Sequence, residues 1–135
     1  MKKNYKFLEH TADLKIQAEG KNLEELFLNI LTAVFEACRP EIKNKKLKFR
    51  KINIKAEDLE SLLINFLSEV LYLSDINNEI YFKARFDKLT HQELIAEICG
   101  YKVERFGLEI KAVTWHDLEI KKQKRKWQAT ILFDI

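Results

Sequence analysis

Two stretches decide the fold: NLEELFLNILTAVF at residues 22–35 and DLESLLINFLSEVL at residues 58–71. In each stretch, apolar residues recur three and four positions apart, which places them on one face of a helix. Asn22 and Asp58 stand where a helix N-cap is expected, and Glu25 takes the position of the carboxylate in a capping box. The sequence therefore predicts two amphipathic helices that each bury one face in a core.

The segments outside the helices alternate between apolar and polar residues, which is typical of strands. The predicted strands are 12–19, 47–54, 80–86, 93–98, 108–120 and 127–135. The strand 47–54 changes phase midway, which predicts a bulge or an irregular strand. The predicted order is strand, helix, strand, helix and then strands alone. This is not the regular alternation of a doubly wound parallel fold. We therefore predict an α+β fold, with two helices packed on mostly antiparallel sheet in a single domain covering residues 1–135.

Length and composition exclude several classes of protein. The chain has 135 residues, of which 47% are hydrophobic and 33% charged, and 24 basic against 21 acidic residues give a net charge of +3. That charge is too small to indicate a nucleic-acid partner by itself. No apolar run reaches the roughly 18 residues of a membrane span, and no signal peptide is apparent, so we expect a cytoplasmic protein without a membrane partner. Cys38 and Cys99 form no CxxC pair and predict reduced core cysteines rather than a zinc site.

Two aspartates lie on the polar faces of the first and last predicted strands. Asp13 faces away from Leu14, and Asp134 faces away from Phe133, one residue before the α-carboxylate of Ile135. If the two strands are neighbours, these three carboxylates form a hard oxygen site suited to Ca²⁺, Mg²⁺ or Mn²⁺. The alternative is an ordinary solvated aspartate at each position.

The other candidate residues are two histidines and a lysine. His10 lies three residues before Asp13. With unbroken alternation His116 shares an apolar face of its strand, which favours a core histidine over a ligand or a base. Lys111 faces the other way, either solvated with its stem along Trp115 or free to bind an anion.

Two basic clusters could contact phosphates. They consist of Lys43, Lys45, Lys46, Lys48, Arg50 and Lys51, and of Lys121, Lys122, Lys124, Arg125 and Lys126. Only Trp127 adjoins either cluster as an aromatic, so the stacking pattern of single-strand binders is missing and we expect solvated turns. The sequence also lacks GxxxxGK[ST], GxGxxG and GxSxG, which disfavours a self-sufficient nucleotide-using enzyme.

Six blocks in order along the chain carry a family resemblance. They are EHTAD at 9–13, DLESLL at 58–63, EVLYL at 69–73, Gly100, IKAVTWH at 110–116 and WQATILFDI at 127–135. No block is specific alone, but together they span nearly the whole chain. The sequence resembles the archease family. The lysine-rich segment 40–51 matches none of these blocks.

The resemblance implies a non-catalytic, chaperone-like activator of the GTP-dependent RNA-splicing ligase of the RtcB type. That ligase joins a 2′,3′-cyclic-phosphate or 3′-phosphate RNA end to a 5′-hydroxyl end, notably in tRNA splicing. The family is expected to promote guanylylation of the ligase, which uses GTP and manganese, and to allow multiple turnovers. Direct or indirect contact with tRNA is a further expectation.

The resemblance also implies a site for a divalent metal ion. Its ligands carry over to Asp13, Asp134 and the terminal residue Ile135. Glu69 and Lys111 lie inside matching blocks, as do His10 and His116. These four residues are therefore candidates for supporting the site or for contacting the partner.

Two other functions stay open from the residues alone. One is a metal-dependent phosphoesterase that uses Asp13, His116 and Asp134. The other is an RNA- or DNA-binding module that uses the two basic clusters. The absence of a nucleophile constellation disfavours the first, and the sparse aromatic residues disfavour the second.

Overall fold

The computed structural model describes residues 3–8 and 13–135, and in that part of the chain two helices accompany eight strands. In chain order the elements are β1 Tyr5–Leu8, β2 Asp13–Gly20, α1 Leu23–Ala37, β3 Pro40–Ile42, β4 Lys48–Lys55, α2 Leu59–Asn77, β5 Glu79–Leu89, β6 Glu93–Phe106, β7 Ala112–Gln123 and β8 Lys126–Asp134. The predicted α+β class is confirmed. The sequence patterns missed the short strands β1 and β3.

The strands form two antiparallel sheets. The first has the order β1-β2-β8-β7, so the predicted first and last strands lie side by side at its centre. In the second sheet β6 pairs with β3, β4 and β5. The consecutive strands β5 and β6 pair as a hairpin, in place of the predicted strands 80–86 and 93–98.

The predicted caps begin both helices. The Asn22 side chain accepts a hydrogen bond from the Glu25 N–H at 2.8 Å, and Asp58 accepts one from the Ser61 N–H at 2.7 Å. That bond to Ser61 lowers the pKa of the Asp58 carboxyl. The Glu25 carboxylate accepts from the Lys21 N–H at 3.3 Å, one residue before the cap. Local hydrogen-bonding chemistry thus fixes where each helix starts.

The core lies between the helices and the inner faces of the sheets. The rings of Phe27 on α1 and Phe66 on α2 lie 5.6 Å apart, and Ile16 and Phe133 of the first sheet are fully buried beside them in the same core. Cys38 is also buried, which raises the pKa of its thiol to about 12, as expected for an inert core cysteine.

Gly100 marks the closest approach in the second sheet. A Cβ atom at this position meets the carbonyl oxygen of Ile80 and the Cα atom of Tyr81, both backbone atoms of the paired strand. We expect Gly100→Ala to lower the free energy of unfolding by about 2 kcal/mol, because main-chain atoms in a ladder cannot move aside as a side chain can. Urea denaturation measures the loss. Gly107→Ala is the control, since its Cβ meets Arg39 at 3.1 Å at the closest. Equal stability of the two variants would contradict this account.

Candidate metal and partner-binding site

The pairing of β2 with β8 brings the two predicted aspartates together. Asp13 lies directly opposite Asp134 in the register, and Leu14 opposite Phe133 follows on the other face. Directly opposed residues in an antiparallel pair have Cβ atoms about 4.5–5.5 Å apart. Since Phe133 is fully buried, both carboxylates project from the face that points away from the core. The condition set by the sequence, that the two strands be neighbours, is met.

The third strand at this position is β7. Ala112 lies opposite Asp134, and the Lys111 N–H donates a 2.8 Å hydrogen bond to the Asp134 carbonyl oxygen. The Lys111 side chain is exposed. Because the Lys111 main chain is hydrogen-bonded to Asp134, this side chain is held near the carboxylates, where it is suited to contacting an anionic partner.

A cavity of about 470 Å³ opens next to Lys111, between α2 and the segment that leads into β7. Ser68, Tyr72 and Asp75 of α2 line it, together with Lys111. Glu69, the candidate from the matching block at the end of α2, is half-buried beside Ser68. The structure thus places Glu69 on the helix that lines this cavity.

The prediction for His116 is wrong. The side chain is 74% exposed, and its Nε2 atom lies 3.6 Å from a carboxylate oxygen of Asp117. The register of β7 on β8 shifts between Thr114 and Glu119, so the alternation on which the prediction relied breaks there. Asp117, inside this irregular segment, has a φ of 57°, in the left-handed region.

Two further groups near the aspartates escaped the sequence patterns. The same Asp117 carboxylate oxygen lies 3.7 Å from Nζ of Lys15, which follows Asp13 by two residues on the same face. Thr114 follows Ala112 by two residues, and its Oγ1 atom is buried with no hydrogen-bond partner among the described residues. Thr114 lies inside the IKAVTWH block, and that position is the sequence signal that could have identified it.

The donor chemistry fits a hard divalent cation. The set predicted from the sequence consists of the Asp13 and Asp134 carboxylates and an α-carboxylate at Ile135, and the Thr114 hydroxyl, which has no partner among the described residues, adds a neutral oxygen on the same face. Such oxygens suit Ca²⁺, Mg²⁺ or Mn²⁺. Within residues 3–8 and 13–135, no three His, Cys, Asp or Glu side chains are grouped as a metal site. His10, the remaining candidate, lies outside the described residues.

Comparison with known proteins places the chain in a family. The sequence model of the Archease protein family (MTH1598/TM1083) matches residues 5–135. The chain belongs to the archease family. It is 39% identical over 144 residues to protein archease of Methanosarcina barkeri, with 98% of this chain and 97% of the relative covered. It is 35% identical over 141 residues to protein archease of Pyrococcus abyssi, with 98% and 99% covered.

Solved structures share the archease fold. The solution structure of protein 1598 from Methanobacterium thermoautotrophicum has a TM-score of 0.76 at 28% identity, and the match covers 99% of this chain and 100% of that one. A crystal structure of an archease from Thermotoga maritima, described as a possible chaperone, has a TM-score of 0.68 at 19% identity, with 95% and 94% covered. The second likeness concerns the fold alone.

In the described part of the chain, neither helix combines the length and the apolar character that a membrane crossing needs.

Proposed function

We propose that this archease-family chain is a non-catalytic activator of the GTP-dependent RNA-splicing ligase of the RtcB type. The observation that carries the proposal is the placement of Asp13 directly opposite Asp134, on a face turned away from the core, in a chain that matches the family over residues 5–135. A face of this kind is available to a partner protein, because the Asp134 side chain on it is exposed.

The proposed role of the carboxylates is to hold a divalent cation where the chain meets the ligase. A bound cation supplies positive charge that offsets the charge of a triphosphate during nucleotidyl transfer. Asp13 and Asp134 bind through their carboxylate oxygens, and the α-carboxylate of Ile135 is the proposed third ligand. Lys111, anchored by its N–H to the Asp134 carbonyl, presents an ammonium group to the anionic partner.

Labelled GTP tests the activator role directly. The cognate ligase is incubated with radiolabelled GTP and Mn²⁺, with and without this chain, and covalent guanylylation is followed over time. We expect faster guanylylation with the chain present, and ligation of RNA beyond one turnover per ligase. The chain alone is expected to form no guanylylated species and to hydrolyse no phosphoester. Unchanged guanylylation in a ligase that is otherwise competent would refute the activator role.

A further inference from the structure

The outer face of the second sheet carries apolar side chains in solvent. Phe49 of β4 is 56% exposed, and Leu47 just before it is 46% exposed. The register of β4 on β6 runs without a shift from Lys48 to Lys55, so the predicted bulge in this segment is wrong. The phase of the apolar residues changes because Ile52 is buried on the inner face, whereas Phe49 lies on the outer face.

More aromatic rings continue this face beside Phe49. Phe49 lies opposite Cys99 of β6, and Tyr101 follows Cys99 by two residues on the same face. The ring of Phe82 lies 4.8 Å from the ring of Tyr101. Phe82 is the extra residue at the register shift between Tyr81 and Lys83, and its ring and that of Tyr101 are both half-buried. Three rings thus follow one another across adjacent strands.

Cations border the three rings. Lys83 lies opposite Cys99 on the far side from Phe49, and Lys51 follows Phe49 by two residues on the outer face. Within the described residues neither lysine is within salt-bridge distance of a carboxylate. The loop between β3 and β4 adds Lys43, Lys45 and Lys46, all exposed.

The acidic residues of this face are already paired. Glu97 accepts a hydrogen bond from Arg85 at 3.4 Å, and Asp87 lies 3.2 Å from the same guanidinium. Glu93 lies 2.6 Å from Lys88. Arg50 does not contribute to the face, because it lies on the inner side with Ile52 and pairs with Glu79. The positive charge of the face therefore comes from the unpaired lysines next to the rings.

We propose that the face formed by Phe49, Phe82, Tyr101, Lys51 and Lys83 binds a single-stranded nucleic acid segment of a few nucleotides. The exposed ring of Phe49, with the half-buried rings of Tyr101 and Phe82 beside it, provides a stacking surface for unpaired bases, and lysines at its margin neutralise phosphates. An apolar protein partner would leave Lys51 and Lys83 without counter-charges, whereas a nucleic acid supplies them. The expectation that the first basic cluster lacks a stacking aromatic is wrong, since Phe49 lies within that cluster and in solvent.

The second basic cluster fits this role less well. It occupies the turn between β7 and β8, where the ring of Trp127 is half-buried and Nζ of Lys122 lies 5.5 Å from its centre. The Trp127 ring is thus already in contact with a cation, and the ring of His91 lies 5.8 Å from it. The inference is independent of the proposed function, because the outer face belongs to the second sheet and the aspartates to the first.

Fluorescence anisotropy with a labelled oligouridylate of about 12 nucleotides tests the proposal. We expect binding to the intact chain at low salt, and a Kd about tenfold higher for Phe49→Ala, with Phe49→Tyr close to wild type because tyrosine keeps a stacking ring. Lys51→Gln and Lys83→Gln each lower the slope of log Kd against log salt by about 0.7. Thermal melts check that these exposed substitutions leave the fold intact.

Matched variants identify the results that overturn the proposal. Lys122→Gln and Lys124→Gln remove the same charges from the other cluster and are expected to bind like wild type, as is Asp134→Asn. Absence of binding at low salt overturns the proposal. So does wild-type binding by Phe49→Ala, or loss of binding in the Lys122 and Lys124 variants instead. Self-association that is abolished by Phe49→Ala, without oligonucleotide binding, assigns the face to a second copy of the chain and also overturns it.

Discussion

Replacing Arg50 by methionine is expected to lower the free energy of unfolding by about 3 kcal/mol at neutral pH. Glu79 is only 1% exposed, and the Arg50 guanidinium donates to both of its carboxylate oxygens, at 3.0 and 2.8 Å. The Tyr81 hydroxyl also donates to this carboxylate, at 2.8 Å. Without the guanidinium, a buried carboxylate loses its counter-charge. Urea denaturation at pH 7 measures the change.

The pH dependence identifies the carboxylate as the cause. Burial favours the neutral form of Glu79, but hydrogen bonds from Arg50 and Tyr81 outweigh it and hold the pKa of Glu79 below its ordinary value of 4.5. A lowered pKa contributes stability that is present above pH 4.5 and lost as the pH falls through the folded-state value. In Arg50→Met the bonds from the guanidinium are gone and burial is opposed mainly by the bond from Tyr81, so we expect a higher pKa of Glu79 than in wild type. The difference between wild type and variant is therefore expected to shrink as the pH is lowered from 7 towards 4.

Arg85→Met is the matched control. Arg85 also bonds carboxylates, those of Asp87 and Glu97, but its side chain is 66% exposed. Water and salt screen exposed ion pairs and leave them little net stabilisation, so this variant is expected to lose little stability at any pH. Equal losses of stability in Arg50→Met and Arg85→Met would exclude the buried pair as the source of the effect. So would a stability difference between wild type and Arg50→Met that does not shrink in acid.

Local patterns were enough to predict the helices and their caps. The stripe of apolar residues and the Asn22 and Asp58 side chains act within one or two turns of the chain, so the sequence carries the whole signal. The alternation in β2 and β8 was predictable for the same reason. The fold class followed from the order of these elements along the chain.

Structural features that depend on strand pairing could not be predicted from local sequence patterns. The bulge in β7 that exposes His116, and the inward turn of Arg50 towards Glu79, are set by residues distant in sequence. Phe49 breaks the expected phase because an exposed ring looks like a core ring in an alternation pattern. The adjacency of Asp13 and Asp134 could only be posed as a condition, and pairing between the two ends of the described chain fulfils it.

Asp134→Asn is expected to abolish the stimulation of ligase guanylylation while leaving the fold intact. Asp134 is exposed and lies at the end of β8, so its carboxylate makes no contribution to the core. The amide keeps the shape of the side chain but removes a negative charge and one anionic oxygen donor. We expect at least about tenfold weaker binding of Ca²⁺, Mg²⁺ or Mn²⁺ by calorimetry, and the same for Asp13→Asn.

Two further variants test the proposed α-carboxylate ligand at Ile135 and the specificity of the effect on guanylylation. A short Gly-Ser extension after Ile135 converts its α-carboxylate into an amide, and we expect the extended chain to lose stimulation as Asp134→Asn does. Glu104→Gln, an exposed carboxylate-to-amide change on the second sheet, is expected to behave like wild type. Full stimulation by folded Asp134→Asn and by the extended chain would place activation outside the carboxylates. Activation would then depend on another docking surface, such as the cavity beside Lys111, which would contact the ligase without using the carboxylates.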